Sequence, residues 1–281
     1  MKIEQAVEKA MRNQPKTRWR SARNEPSAPR PIESAEGNWM PPTYSQSQKR
    51  ALDPRILQAN RCVCYLEDAP ELDFYKVLRT QLIQRTQTRG WNTIMITSTR
   101  PGEGKTVTAI NLAMTFAKAY SQTVLLMDCD LRQQKVYRYL GMASEIGIID
   151  HLMNGCPLKD MIIWPGIDKM TVISGGRTVN ESSELLGSPK MKTLIAEMKS
   201  RYADRYILLD APPILSGADA LTISELADGI VMVVESGQTP VKEIQEALAL
   251  LPNEKFLGFV LNKHTSEKKG YYNYYAMAAN D

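Results

Sequence analysis

Thr99-Arg-Pro-Gly-Glu-Gly-Lys-Thr106 follows the apolar run Thr93–Thr97 and opens a helical pattern that continues over Lys105–Lys118. A loop that wraps phosphate oxygens needs small residues wherever backbone N–H groups turn inward, and Gly102 and Gly104 supply them. The helix beginning at Lys105 adds the partial positive charge of its N-terminus. Lys105 is then placed to reach the β- and γ-phosphates, and the Thr106 hydroxyl to face a phosphate-bound Mg²⁺. Arg100, Pro101, Gly102, Glu103, Gly104, Lys105, Thr106 and Val107 are therefore the candidate nucleotide-binding residues. Thr99 stands where the common form of this loop has glycine, so the loop is a variant. A chance glycine turn is the competing reading. The strand before, the helix after and the Gly-Lys-Thr ending together argue against it.

Outward from this loop, further apolar runs occur at Thr123–Met127, Met170–Ile173, Tyr206–Leu209, Gly229–Val234 and Phe256–Leu261. Helical patterns lie between several of them, at Lys190–Arg201 and Val241–Leu251, and another precedes the loop near Leu72–Gln87 with apolar positions 74, 77, 78 and 82. Continuous apolar strands separated by helices predict an α/β fold, a mostly parallel sheet covered by helices on both faces. Ligands of such sheets bind at the carboxyl ends of the strands. Two acidic strand ends fall there: Val124-Leu-Leu-Met-Asp128-Cys-Asp130-Leu-Arg132 and Tyr206-Ile-Leu-Leu-Asp210-Ala-Pro-Pro213. One such aspartate would more often be a helix cap. Two beside a phosphate loop are better explained as ligands, direct or through water, of Mg²⁺, with Thr106, Asp128 and Asp210 as the metal set. One aspartate must also accept the proton of an attacking hydroxyl; Asp128 is favoured, with Asp130 a supporting charge and Asp210 mainly a metal-site residue. Sequence does not separate these roles. Lys105, Asp128, Asp130 and Asp210 form the candidate catalytic set.

The variant P-loop, the Asp-x-Asp-x-Arg strand end and the Leu-Leu-Asp-x-Pro-Pro strand end resemble the bacterial tyrosine kinases of polysaccharide and exopolysaccharide synthesis, over roughly residues 66–275. These are similar to the partition and division-site ATPases of the deviant Walker A group of P-loop NTPases. Gly141–Gly155 and Gly175–Ser188, the latter including Glu184-Leu-Leu186, also resemble the kinases' connecting segments. An N-terminal helix with a proline-rich linker resembles the subgroup of exosortase-type loci. The resemblance implies an ATP- and Mg²⁺-dependent protein-tyrosine kinase. It places Asn262, in Val-Leu-Asn, against the adenine. Asp73-x-x-Lys76-x-x-Arg79 is similar to the family's ring-forming helix motif, with Asp for Glu and Lys for Arg; three solvated charges are an equally weighted reading. The resemblance further implies a membrane activator of the chain-length-determinant type and an opposing tyrosine phosphatase. At Arg100 the partition and division-site ATPases carry a signature lysine, and this departure favours the kinase.

Four of the 12 tyrosines crowd into Tyr271, Tyr272, Tyr274 and Tyr275, beyond the last predicted strand and without any regular period. They read as phosphoacceptors in a mobile tail, against the plainer reading of a sticky aromatic end. The expected function is a tyrosine autokinase that phosphorylates this cluster, each phosphate adding roughly −1.5 to −2 charge. A ParA/MinD-like ATPase switch without kinase activity is the alternative.

The 281 residues suffice for one large domain plus extra segments. Three zones are expected: 1–65, a short helix with apolar residues at 3, 6, 7, 10 and 11 and then a basic proline-rich linker; 66–264, the kinase domain; and 265–281, the tyrosine tail. The first 60 residues hold 11 Lys/Arg against 6 Asp/Glu, so the net charge of +4 is concentrated there. No aromatic-and-basic stripe suggests a nucleic-acid groove. No signal core and no apolar run of about 18 residues is present, which predicts a cytoplasmic chain whose contact with a membrane comes through a partner or a basic segment; the resemblance implies recruitment to the inner membrane through the partner. Cys62, Cys64, Cys129 and Cys156 are expected to be reduced thiols, Cys129 in packing; His151, His264, Trp91 and Trp164 are given structural or surface roles.

Overall fold

A computed structural model describes residues 48–143, 146–179, 181–202 and 204–264. The predicted N-terminal helix, most of the linker and the tyrosine cluster lie outside these residues. Among the described residues eight strands are formed: β1 Gln48–Lys49, β2 Thr93–Ser98, β3 Thr123–Asp128, β4 Ile162–Trp164, β5 Met170–Ile173, β6 Arg205–Asp210, β7 Gly229–Glu235 and β8 Phe256–Asn262. Ten helices accompany them: α1 Pro54–Ala59, α2 Leu72–Thr86, α3 Lys105–Ala117, α4 Lys135–Leu140, α5 Ile148–Asn154, α6 Leu158–Met161, α7 Ser182–Leu186, α8 Pro189–Ser200, α9 Ala218–Leu226 and α10 Val241–Ala249. They build one sheet in the order β1-β4-β5-β3-β6-β2-β7-β8, parallel except for the β4–β5 pair.

The strands are apolar throughout because both faces of the sheet are covered. Side chains alternate between the faces. Ile94 and Ile96 enter the core beneath α2 and α3, whereas Met95 between them enters the core beneath α8, α9 and α10. Likewise Leu126 packs on the first face and Leu125 and Met127 on the second. Helix α3 is buried nearly all round, as a helix apolar on every side must be. This rigid strand–loop–helix unit holds the glycine loop between β2 and α3.

Three features differ from the expectations. The last part of the expected linker is ordered. Asp53 caps α1 by accepting from the Arg55 N–H at 2.9 Å, Pro54 occupies its first turn, and Leu57, Cys62 and Cys64 are buried against the core. Asn111 of α3 stitches this strap in place, donating to the Arg61 carbonyl at 2.8 Å and accepting from the Cys64 N–H at 3.0 Å. Apolar residues hidden among prolines carry this packing, which no periodicity announces. Second, α2 turns Leu72, Tyr75, Arg79, Leu82 and Thr86 toward α3, so Phe74 (63% exposed) and Val77 (57%) face outward rather than into the core. Third, β4 is an antiparallel strand too short to register as an apolar run. Among the described residues the four cysteines are free thiols, and burial pushes Cys62 and Cys64 up to about 12.

Candidate active site

β3 and β6 are neighbours in the sheet and pair Asp128 with Asp210, while β2 pairs Ile96 with Asp210 on the other side. The loop leaving β2 therefore passes directly over both acids. Parallel strands end at the same rim, which is why residues more than 80 positions apart meet there. Lys105 Nζ lies 2.8 Å from Asp130 Oδ2 and 3.7 Å from Asp210 Oδ1. The Thr106 hydroxyl donates to Asp210 Oδ2 at 2.7 Å. Asp128 is turned inward: its Oδ1 accepts from the Asp130 N–H at 3.2 Å and its Oδ2 from the Val136 N–H at 2.9 Å, at the start of α4.

Three carboxylates and one ammonium share this buried rim. Burial, reinforced by the charge of Asp210, raises Asp128 well above the ordinary carboxylate range. Burial also raises Asp210, against the opposing pull of Lys105 and Thr106. Burial alone would lower Lys105; Asp210 and Asp130 outweigh it and raise the lysine. Asp210 Oδ1, fully buried, accepts no hydrogen bond. A carboxylate oxygen that faces Lys105 at 3.7 Å without a hydrogen bond, on the acid that Thr106 also touches, suits a hard cation that takes oxygen ligands. Among the described residues no three His, Cys, Asp or Glu side chains are grouped to hold a metal ion.

The loop itself is braced from the far side of the sheet. The Arg100 N–H donates to Glu103 Oε2 at 2.9 Å, and Thr239 donates to the other Glu103 oxygen. Asn262, at the end of β8, donates to the Glu103 carbonyl at 2.8 Å. The Arg100 side chain pairs with Glu243 of α10. Glu103 is only 3% exposed, so its carboxylate shapes the loop from within and only its backbone is left to serve a ligand. Pro101, Gly102, Gly104, Lys105, Thr106 and Val107 line the cavity above the loop together with Asp130. Gln133, Lys135, Tyr139 and Pro213 line it too, and sequence reading missed them. Thr239 and Glu243 were missed as well. Only Lys135 and Gln133 carried a signal, their closeness to the Asp-x-Asp-x-Arg strand end.

The remaining candidates lie apart. In α2, Asp73 pairs with Lys76 at 3.1 Å, and Arg79 donates to the Thr115 carbonyl at 2.6 Å. Arg79 is thus spent within the chain, at the α2–α3 contact. His151 contacts the Cys156 carbonyl at 2.7 Å and His264 the Ser236 hydroxyl at 3.0 Å, both away from the acids.

Residues 91–253 match the family model described as an AAA domain. Tyrosine-protein kinase YwqD of Bacillus subtilis is 34% identical over 209 residues, covering 73% of this chain and 86% of that one. The chain belongs to the bacterial tyrosine-protein kinases. Among solved structures, the kinase domain of Escherichia coli tyrosine kinase ETK superposes with a TM-score of 0.63 at 27% identity, covering 70% of this chain and 78% of that one. The septum site-determining protein MinD of Pyrococcus horikoshii, solved with Mg-ADP, gives a TM-score of 0.51 at 22% identity over 66% of this chain and 76% of its own, and shows the shared P-loop fold alone. The family and the P-loop fold together make this a nucleotide-binding kinase, and the kinase reading stands over the partition-type switch. Among the described residues no helix is long and apolar enough to cross a membrane.

Proposed function

We propose that this kinase transfers the γ-phosphoryl group of ATP to the tyrosines at 271, 272, 274 and 275 of its own sequence, and that this regulates exopolysaccharide synthesis or export. The observation that carries the reading is the meeting of Lys105, Thr106, Asp128, Asp130 and Asp210 at one strand rim. In the transfer, the backbone N–H groups of residues 101–107 cradle the phosphates and Lys105 moves from Asp130 onto the β- and γ-oxygens. Thr106 and Asp210 would hold Mg²⁺, which when bound neutralises charge on the phosphates. The tyrosine oxygen attacks the γ-phosphorus, the bond to the β-γ bridging oxygen breaks, ADP leaves, and the phenolic proton passes to a carboxylate. A free tyrosine titrates near pH 10, so a strong acceptor is needed. Asp128 is assigned that role, which requires its Oδ2 to leave the Val136 N–H it rests on, and Asp130 orients Lys105. Asn262, whose side-chain amide donates to the Glu103 carbonyl, is the residue assigned to the adenine.

The same reading includes a ring of copies joined through α2, supported by the outward Phe74 and Val77 beside Asp73 and Lys76. It also includes a membrane activator of the chain-length-determinant type, an opposing phosphatase and a cytoplasmic location. Incubation with labelled ATP and Mg²⁺, followed by acid hydrolysis, tests the transfer. Phosphotyrosine is expected, lost in Lys105→Met and largely lost when the four tail tyrosines become phenylalanine. Phosphate release without phosphotyrosine would instead establish the ATPase switch. Asp128→Asn is expected to slow transfer at least a hundredfold; a larger loss in Asp130→Asn than in Asp128→Asn would move the proton acceptor to Asp130.

A further inference from the structure

Arg132 ends the Asp-x-Asp-x-Arg motif, yet nothing in the phosphate-binding arrangement uses it. Its guanidinium is held along one edge. Nε donates to the Ser182 hydroxyl at 3.0 Å and lies 3.2 Å from Asp219 Oδ2, and Nη2 reaches Asp219 Oδ1 at 3.5 Å. Ser182 in turn donates to Asp219 Oδ2 at 2.5 Å. Ser182 is wholly buried and Asp219 4% exposed, whereas 56% of the Arg132 side chain faces solvent. The buried pair therefore fixes the orientation of an exposed group. Three segments converge to do it: the β3–α4 loop, the start of α7 and the start of α9.

A guanidinium fixed along its Nε edge still offers the end-on pair, one N–H of Nη1 beside the second N–H of Nη2, and no bond to Nη1 is seen among the described residues. That is the donor geometry suited to a phosphate, and less demanding ties between loops do not need it. Its place is also specific. Arg132 lies between Asp130 and Gln133, both of which line the nucleotide cavity, and two residues of chain span roughly 7 Å at most. Arg132 is thus anchored in the loop that forms this wall of the cavity, within reach of an acceptor segment that enters it. The Lys268–Ala279 stretch, which holds the four tyrosines, contains no Asp or Glu. The anion that such a segment can present there is a phosphate already placed on a neighbouring tyrosine.

We propose that Arg132, oriented by Ser182 and Asp219, is a phosphotyrosine-binding site, which holds one phosphorylated residue of the Tyr271–Tyr275 cluster while the next is presented for transfer. The site makes and breaks no bond. It deepens the autokinase reading and depends on it only for the source of the phosphate. Phosphorylation of the cluster then becomes ordered, the first event promoting the later ones.

The test measures binding, so it reads out whether or not transfer occurs. Full-length protein, treated with phosphatase and saturated with ADP and Mg²⁺ to fill the phosphate loop, is titrated into a fluorescent peptide of residues 270–277. One form of the peptide carries phosphotyrosine at 272 and the other is unmodified. Wild type is expected to bind the phosphopeptide about tenfold more tightly, the effect of charge-assisted bonds at a half-exposed site. Arg132→Gln should erase that ratio, and Arg132→Lys should keep part of it. Should Arg132→Gln lower the melting temperature, Ser182→Ala keeps the charge, removes the orienting hydroxyl, and should still reduce the ratio. Equal affinity of wild type for the two peptides would overturn the proposal. So would an unrelated phosphotyrosine peptide, or inorganic phosphate alone, displacing the probe as well as the tail phosphopeptide does. Absence of phosphotyrosine after incubation with ATP would sink the autokinase reading instead, and that result is read separately.

Discussion

Alanine at Gly104 would place a methyl group 2.1 Å from Asn262 Nδ2, far inside contact distance. The backbone there also has φ of 96°, a region that L-residues avoid. The two penalties are separable. Backbone strain costs about 1–2 kcal/mol. Pushing Asn262 aside breaks its 2.8 Å bond to the Glu103 carbonyl, and a bond of that kind is worth about 1 kcal/mol. Gly104→Ala should then destabilise by about 2–3 kcal/mol, and Asn262→Ala, which loses only the bond, by about 1 kcal/mol. In the double variant the bond can be lost only once and the clash has no partner. Its cost should match that of Gly104→Ala alone, about 2–3 kcal/mol, so the pair is coupled by about 1 kcal/mol. Urea denaturation of the four proteins gives all the terms. Costs that add to within about 0.3–0.5 kcal/mol would refute the close approach of β8 to the loop. The experiment probes the loop's conformation without any nucleotide, so it is independent of the chemistry assigned above.

Two further outcomes follow from the same geometry. Asp128 and Asp210 titrate above their ordinary 3.8 in the folded chain, so the unfolded chain loses these protons first. Their contribution to stability is complete below the unfolded value and is lost as pH rises through the raised folded values. Asp210→Asn removes one of these acids and relieves the other, so the fall in melting temperature as pH rises above the ordinary 3.8 should shrink; an undiminished fall would show that the acids do not interact. Asn111→Ala removes both bonds that fasten the 48–65 strap to α3. It should cost about 2–3 kcal/mol and raise hydrogen exchange in that strap selectively; protection unchanged there would mean that Leu57 and the two cysteines hold it unaided.

Much of the architecture was legible because its signals are local. Unbroken apolar strands, amphipathic or wholly apolar helices and a glycine turn between them predict a parallel sheet with its ligand at the carboxyl rim. Elements with weak local signals escaped. β4 has three residues and β1 two, below any periodicity. Helix α1 follows a proline-rich stretch and is held by caps and by contacts to residues some 50–80 positions away. In α2 the apolar residues at 74 and 77 suggested an inward stripe, but Tyr75 and Arg79 took that face, because an aromatic ring and a long aliphatic stem can pack while their polar ends find partners on α3. Burial raises the Tyr75 phenol to about 12.

Sequence alone determined that Lys105, Thr106, Asp128, Asp130 and Asp210 would share one rim, since parallel strand order carries every strand end to the same side. Tertiary structure alone decided how each of them points. Asp128 turns to backbone amides, Asp130 to the lysine and Asp210 to the threonine. It also decided that Glu103 is clasped by Thr239 and Asn262, 136 and 159 positions away. The reason is physical. Periodicity encodes which face is buried, to the nearest residue, whereas hydrogen bonds are fixed to tenths of an ångström by the packing of all the elements at once.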